Sequence, residues 1–561
     1  MKQYLQDLKI HGIELYLQHG TLKFFAPKGT MTASIMTQLK KNKTELTNYL
    51  QVQQEATAQI RPLTAEQKPE LSFSQQRIWA SGQLMENDKV YRELSVFQLR
   101  GELQTKPLKA AFQLLVERHK ILQYRVVMDG TRPVLQHTAD NEIGFITEHY
   151  RGSADEVLQF IDAQLLAHRS QPMDLAADPL ISVRVLQLAE KEHLLSIVTH
   201  HLIGDAWSEQ LMLEELAQVY NAFCERRQAE LSPLPIQYID FSAWQKQQHL
   251  RGVYQGQLDY WCTQLQGFPE LHNLPTDFPR PAQQGHSGAR YILRVDDPLG
   301  EQLHRFTVEL GITPFALLQT CLATVLAIYG LQSDVVMGTT VAGRNRVETE
   351  ELLGMFVNNV VLRTEVLTGR SFREQLKDNF ATILAALEHQ EVPFELVLGQ
   401  VNVERSLSYS PLFQIMFVMR NVAKAKTSWR DLVVKAQRPE QPYAKYDLLL
   451  IAEECGQGFE LIWEYNSELF HSTTIKRLAE SFMQLLRLGM AMPNLSLGDL
   501  LQGDSNSVQH NCSFFTHRGQ LFERLEKWAK ENSEVIATID GKEWSVSIDP
   551  DNRHYAAILE W

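Results

Sequence analysis

Leu194-Leu195-Ser196-Ile197-Val198-Thr199-His200-His201-Leu202-Ile203-Gly204-Asp205-Ala206-Trp207-Ser208 sets the fold class and holds the densest set of reactive side chains in the chain. The apolar run Leu194 to Val198 predicts a strand, and Leu211, Leu213, Leu216, Val219, Tyr220 and Phe223 mark one face of a helix from Trp207 to Cys224. A strand-to-helix junction sets side chains at the edge of a sheet, where clefts form and helix N–H groups meet anions. Two histidines and an acid there can supply a base and its orienter. Plainer readings stand beside this one. Asp205 is well placed to cap the helix. Adjacent histidines point to opposite faces of a strand, so one of them is structural. His201 and Asp205 sit at i, i+4 and could chelate, but no third ligand lies at a diagnostic spacing, and no metal is expected.

Outward from this junction, strand-like and helix-period segments alternate from Leu71 to about residue 500. Strands are expected at Val96 to Leu99, Leu194 to Val198, Val335 to Gly338, Val360 to Thr364 and Gln414 to Val418. Helices are expected at Leu108 to Arg118, Trp207 to Cys224, Pro314 to Tyr329, Phe372 to His389 and Thr474 to Leu488. Such alternation implies an α/β or α+β body, and its size exceeds one hydrophobic core, so two lobes are expected, divided in the Pro-containing run Leu231 to Ile239. Ahead of it, Ile13 to Leu17 and Thr21 to Phe25 flank Gln18-His19-Gly20 in the pattern of a β-hairpin. A short helix over Leu5, Leu8 and Ile10 precedes the hairpin, helices through Leu39 and from Thr44 follow it, and a polar linker leads to the body. After residue 505 a polar stretch gives way to a helix-like segment and a short apolar one within 521–538.

Composition narrows the classes. The 561 residues are 44% hydrophobic and 22% charged, which excludes collagen-like and wholly disordered chains. A formal charge of -13 argues against a nucleic-acid binder. Residues 1–52 carry seven lysines against three acids, a net +4 that leaves -17 on the rest. Five scattered cysteines read as reduced packing residues, and neither a signal peptide nor an apolar run of membrane-spanning length occurs, so a cytoplasmic protein without membrane contact is expected.

His200 to Ser208 resembles the active-site motif of nonribosomal peptide synthetase condensation domains: two histidines, three variable residues, Asp-Gly, then Trp-Ser. Leu71-Ser72-Phe73-Ser74-Gln75-Gln76-Arg77-Ile78-Trp79 resembles the opening motif of that family, and Glu117-Arg118-His119-Lys120-Ile121-Leu122 its second. Gly343-Arg344 with Leu353-Gly354-Met355-Phe356-Val357-Asn358-Asn359 is similar to the fifth. His389-Gln390-Glu391-Val392-Pro393-Phe394-Glu395 with Ser410-Pro411-Leu412-Phe413-Gln414 is similar to the sixth.

The resemblance implies two chloramphenicol-acetyltransferase-like lobes in a V-shaped pseudo-dimer, with the motif histidine in a tunnel at their interface. It implies an acyltransferase that joins an acyl or peptidyl thioester on a donor carrier protein to the amine of an aminoacyl thioester on an acceptor carrier. Both substrates ride on 4'-phosphopantetheine arms of the partners, and no cofactor is bound directly. The candidate catalytic set is His201, His200, Asp205 and Ala206, with His201 as the base or positioner and His200 as a structural member. Arg344, Arg118, Asn358 and Trp207 are the supporting residues. Asp205 is expected to pair with Arg344, or failing that with Arg118. Two departures stand out: Ala206 replaces the family glycine, which would strain the loop if that residue needs a positive φ, and Gln123 stands where an arginine is usual. The wording around the histidines and at Ser410 to Gln414 resembles the type that joins L-configured partners.

Residues 1–52 resemble a TubC-like N-terminal docking domain through Gly12-Ile13-Glu14-Leu15-Tyr16-Leu17, Gly20-Thr21-Leu22-Lys23, Ala26-Pro27-Lys28-Gly29 and Lys43-Thr44-Glu45-Leu46. That implies capture of the C-terminal segment of an upstream synthetase subunit on the hairpin edge, with Lys23 and Lys28 as contacts and a docking-domain homodimer as a further partner. Phe514 to Val546 resembles the start of an adenylation domain without its continuation. The expected division is docking domain 1–52, linker 53–70, first lobe 71–235, second lobe 236–500 and adenylation stub 501–561. Two other functions fit the same residues: a catalytically silent docking scaffold, or an acyltransferase acting on a soluble amine.

Overall fold

The apolar run before the paired histidines forms the strand Glu192–His200, the middle member of a five-stranded sheet. Its order is Leu432–Gln437, Arg92–Gly101, Glu192–His200, Ile181–Ala189, Gly144–His149, and only the last pair is parallel. This computed structural model describes residues 14–18, 21–25, 33–56, 59–502, 534–539 and 542–547, apart from short stretches at 65, 85–88, 139–141, 154–155, 402, 404–405, 421–426 and 440–442. β-Branched residues fill the inner positions of the sheet, with Val183 and Val185 fully buried. Leu108, Phe112 and Leu115 of the helix Thr105–Arg118 share that core with Leu216, Val219 and Tyr220 of the helix Ala206–Cys224.

A second, six-stranded sheet runs Asn358–Glu365, Asp334–Val341, Ile415–Arg420, Leu448–Cys455, Gly458–Asn466, Gly288–Val295. The helix Pro314–Gly330 is apolar on all sides because it lies inside this lobe, buried almost from end to end. Thr313 caps it by accepting the Ala316 N–H at 3.2 Å, and Pro314 occupies the first turn, where its missing N–H costs nothing. Trp463, Phe417 and Phe482 complete the core.

The five strands and five helices anticipated between residues 71 and 500 all form, most of them a few residues longer than their periodicity suggests. Core membership divides the chain differently from a single break at 236. Tyr238, Ile239 and Phe241 of the helix Tyr238–Leu250 pack into the first core, and the second core begins at Tyr254. The prolines at 233 and 235 interrupt regular structure, but the apolar face that follows them returns to the first sheet. Leu352 to Phe356, Trp429 and Leu432 also join the first core. Leu432–Gln437 adds the edge strand beside Arg92–Gly101, where Gly101 has φ +130° and a Cβ would fall 1.9 Å from the Asp431 carbonyl oxygen. Only glycine fits that crossing.

At the N-terminus, Glu14–Gln18 and Thr21–Phe25 pair as an antiparallel hairpin, followed by helices Ala33–Lys41 and Lys43–Ala56. The second helix runs into the stretch expected to be linker. Beyond it, Ile60 is buried in the first core and the Leu63 N–H donates to Asp240 at 2.8 Å, so the end of the linker lies against the first lobe. Glu534–Ile539 and Lys542–Ser547 form an antiparallel pair. The short first helix and the helix-like segment before residue 534 lie outside the described residues. Among the described residues no single helix is long and apolar enough to cross a membrane, and no group of three or more His, Cys, Asp or Glu could hold a metal.

Candidate active site

His201 stands one residue past the strand Glu192–His200, where the chain turns toward the helix Ala206–Cys224. Its backbone N–H donates to the Tyr91 carbonyl at 2.8 Å. Its Nδ1 lies 3.2 Å from the Gly204 carbonyl oxygen. A carbonyl only accepts, so the proton is assigned to Nδ1 and Nε2 faces outward. Nε2 lies 2.7 Å from Glu93 Oε1 and 2.5 Å from Lys445 Nζ, and Lys445 Nζ is also 2.7 Å from Glu93 Oε1. Glu93 belongs to the strand Arg92–Gly101 of the first sheet, whereas Lys445 leads into Leu448–Cys455 of the second. The cluster therefore closes across the two lobes. Burial pushes the Glu93 carboxyl upward, but its polar neighbours, the Lys445 ammonium foremost, outweigh it and hold the group well below the usual carboxylate range. Close by, burial raises Glu209, against the hydroxyl of Ser95 that donates to it.

His200 takes the other face, as alternation along a strand requires. It is 1% exposed, its Nδ1 accepts the Leu202 N–H at 3.1 Å, and its ring lies 6.4 Å from that of Tyr91. Of the four candidate catalytic residues, His200 and Asp205 have their polar atoms turned into the protein.

Asp205 caps the helix Ala206–Cys224. Its Oδ1 accepts the Ser208 N–H and hydroxyl, each at 2.8 Å, and its Oδ2 accepts the Phe356 N–H at 3.1 Å. Arg344 reaches Asp205 Oδ1 at 3.3 Å and Ser208 Oγ at 2.9 Å, and donates to the carbonyls of Thr349 and Leu352. Burial pulls the guanidinium below its usual value, against the raising effect of Asp205. Gly343, at φ +66°, approaches the Phe356 carbonyl so closely that a Cβ would lie 2.0 Å from it. The capping and ion-pair readings of Asp205 are thus both satisfied by one carboxylate. Arg118, the second candidate partner, instead pairs with Glu215 at 2.9 Å, and His119 meets the other oxygen of that carboxylate at 2.7 Å.

Ala206 begins the helix, and it is absent from the described non-glycine residues with positive φ, which are Arg226, Leu331, Leu412 and Asp431. The anticipated strain at this position does not arise, because the residue after an N-cap takes ordinary helical angles. Gln123 is equally well accommodated: its amide donates to the carbonyls of Val116 and Glu117, and its oxygen lies 2.9 Å from His137 Nε2. Trp207 Nε1–H donates to the Glu350 carbonyl at 3.0 Å, with Arg344 over its ring. Asn358 donates to the carbonyls of Gln390 and Val392 and accepts the Phe394 N–H, pinning the turn that carries Glu395. Glu395 pairs with Arg77 at 2.7 Å across the lobes, and Gln75 donates to the Leu202 carbonyl behind the histidines.

Glu93, Lys445 and Glu209 were not singled out in the sequence. The available signal was weak: Glu93 is one of several polar residues in the mixed strand Arg92–Gly101, and Lys445 lies three positions ahead of the apolar strand Leu448–Cys455. Of the docking candidates, Lys23 lies in the strand Thr21–Phe25 opposite Tyr16, while Lys28 lies outside the described residues.

Residues 65–507 match the Condensation domain family and residues 1–52 the TubC N-terminal docking domain family. One of the linear gramicidin synthase polypeptides of Brevibacillus parabrevis is 36% identical over 455 residues, which cover 80% of this chain and only 9% of that relative. The X-domain from teicoplanin biosynthesis superimposes with a TM-score of 0.73 at 24% identity, over 79% of this chain and 99% of that one. The first condensation domain of the calcium-dependent antibiotic synthetase does so with a TM-score of 0.64 at 19% identity, over 77% and 98%. With the paired histidines, the capped aspartate and the two-lobed fold in place, the chain belongs to the condensation-domain family and carries a TubC-type docking domain at its N-terminus.

Proposed function

We propose that this chain forms amide bonds within a nonribosomal peptide synthetase, transferring an acyl or peptidyl group from a donor carrier protein to the aminoacyl group on an acceptor carrier. The observation that carries this reading is His201, whose outward Nε2 sits where the two lobes meet while Gly204 holds the other nitrogen. The acceptor amine attacks the donor thioester carbonyl. The C–N bond forms, the C–S bond breaks, and the proton lost by the amine nitrogen passes through His201 Nε2 to the departing thiolate. A positioned base of this kind accounts for about 10²- to 10⁴-fold, and holding both carrier arms in one site supplies much of the remainder. Asp205 and Arg344 act by fixing the loop that presents His201. An unstrained Ala206 and a fully bonded Gln123 weigh against a silent scaffold. The residues around the histidines and Ser410 to Gln414 support L-configured donor and acceptor groups.

The test supplies donor and acceptor carriers loaded with thioesters and reads the acceptor by intact mass. Wild type should transfer the acyl group, and His201→Ala should slow transfer by about 10²- to 10⁴-fold. No transfer with any cognate pair, or full transfer by the variant, overturns the assignment. Product released without an acceptor carrier would instead indicate a soluble amine as acceptor.

The same proposal gives residues 1–52 the upstream subunit's C-terminal segment as partner, taken up at the hairpin edge with help from Lys23 and Lys28. An acidic peptide of that segment should bind, and binding should weaken as salt rises and with Lys23→Glu. Salt-independent binding contradicts charge pairing.

A further inference from the structure

We propose that Glu93, His201 Nε2 and the ring of Tyr91 form a seat for the acceptor's primary ammonium, and that Lys445 occupies that seat when no substrate is present. The inference rests on the condensation reading and names the group that would hold the incoming amine. Lys445 Nζ is itself a primary ammonium. It lies 2.7 Å from Glu93 Oε1, 2.5 Å from His201 Nε2 and 5.9 Å from the centroid of the Tyr91 ring. A carboxylate, an imidazole lone pair and an aromatic face are the three kinds of group that recognise such a cation.

The three groups sit on rigid elements. Tyr91 directly precedes the strand Arg92–Gly101, in which Glu93 lies opposite Thr199, and the Tyr91 carbonyl accepts the His201 N–H. Lys445 alone comes from the other lobe, on a four-carbon stem that can withdraw without disturbing either sheet. The side chains of His201, Glu93 and Lys445 are 19%, 40% and 27% exposed, so the seat is open to an incoming group. An aminoacyl thioester entering as its ammonium would displace Lys445 from Glu93. Its nitrogen would then rest against His201 Nε2, which takes one proton to leave the neutral amine, while the imidazolium so formed is paired with the Glu93 carboxylate.

The experiment measures binding to the full chain without turnover, so it is independent of amide transfer. The probes are glycyl-N-acetylcysteamine thioester and its glycolyl counterpart, in which a hydroxyl replaces the ammonium. Both are titrated at a pH of about 7, where an α-amino group is still mostly protonated and an ordinary imidazole is mostly neutral. Wild type should bind the glycyl probe about tenfold more tightly than the glycolyl probe, as a charge-assisted hydrogen bond requires. Glu93→Gln, which keeps the shape and removes the charge, should erase that preference. Lys445→Met should tighten glycyl binding by removing the internal competitor. Equal or undetectable binding of both probes to wild type, or a preference that survives Glu93→Gln, overturns the seat. Weaker glycyl binding by Lys445→Met overturns the placeholder role of the lysine. Amide transfer without any ammonium preference would leave the condensation reading standing and remove only the seat.

Discussion

Within the nine residues His200 to Ser208 the chain builds two polar clusters of opposite character. Around Asp205 everything is sealed: its side chain is 2% exposed and that of Arg344 1%, and neighbouring hydrogen-bonding groups surround the carboxylate. Around His201 the groups are partly open and drawn from both lobes, and the outward nitrogen of the imidazole touches both a carboxylate and an ammonium. Charge and residue type do not separate the two clusters. Burial does. A charge fully enclosed with fixed partners holds a loop in place, whereas a titratable group at a cleft can exchange partners and protons.

The two clusters should differ most at Arg344. Arg344→Met strands a buried carboxylate and should destabilise the first lobe by about 3–5 kcal/mol, read as a lowered unfolding transition. His201→Ala, measured in the same way, should shift stability by less than about 1 kcal/mol while abolishing most transfer. Equal stability losses in the two variants would erase the distinction.

A smaller effect sharpens it. Glu93 is held below the ordinary carboxylate range, so the stability it contributes is complete above a pH of about 4.3 and is lost as pH falls through its depressed folded value. Because its side chain is partly open to water, that contribution should amount to about 1 kcal/mol or less. Thermal unfolding of wild type and Glu93→Gln should therefore differ slightly at neutral pH, and the difference should shrink as pH falls below about 4.3. A gap that stays constant across that range would mean the carboxylate is not paired as described.

Much of this is legible in the sequence. The strand ending at His200 announces itself by apolar residues in sequence, and the helix after it by Asp205 at the cap and a 3.6-residue apolar stripe. Such signals are local, carried by neighbours within one turn or one strand. Arg344 was legible only through resemblance, because no local rule links it to Asp205 across a separation of 139 residues. The lobe division was less legible. Prolines near 235 mark a break in regular structure, but the choice of core for Tyr238 and Phe241 depends on which apolar face they meet.

By itself the sequence determined the α/β character, the hairpin, the basic charge of residues 1–52, the histidine pair, and Asp205 as a candidate cap for the helix behind them. Only the tertiary structure decided that Leu432–Gln437 completes the first sheet, and that Glu93 and Lys445 meet at His201 Nε2. The physical reason is range. Capping, periodicity and turn chemistry act over a few residues, whereas these contacts join positions 93, 201 and 445, which become neighbours only once two hydrophobic cores have formed and docked.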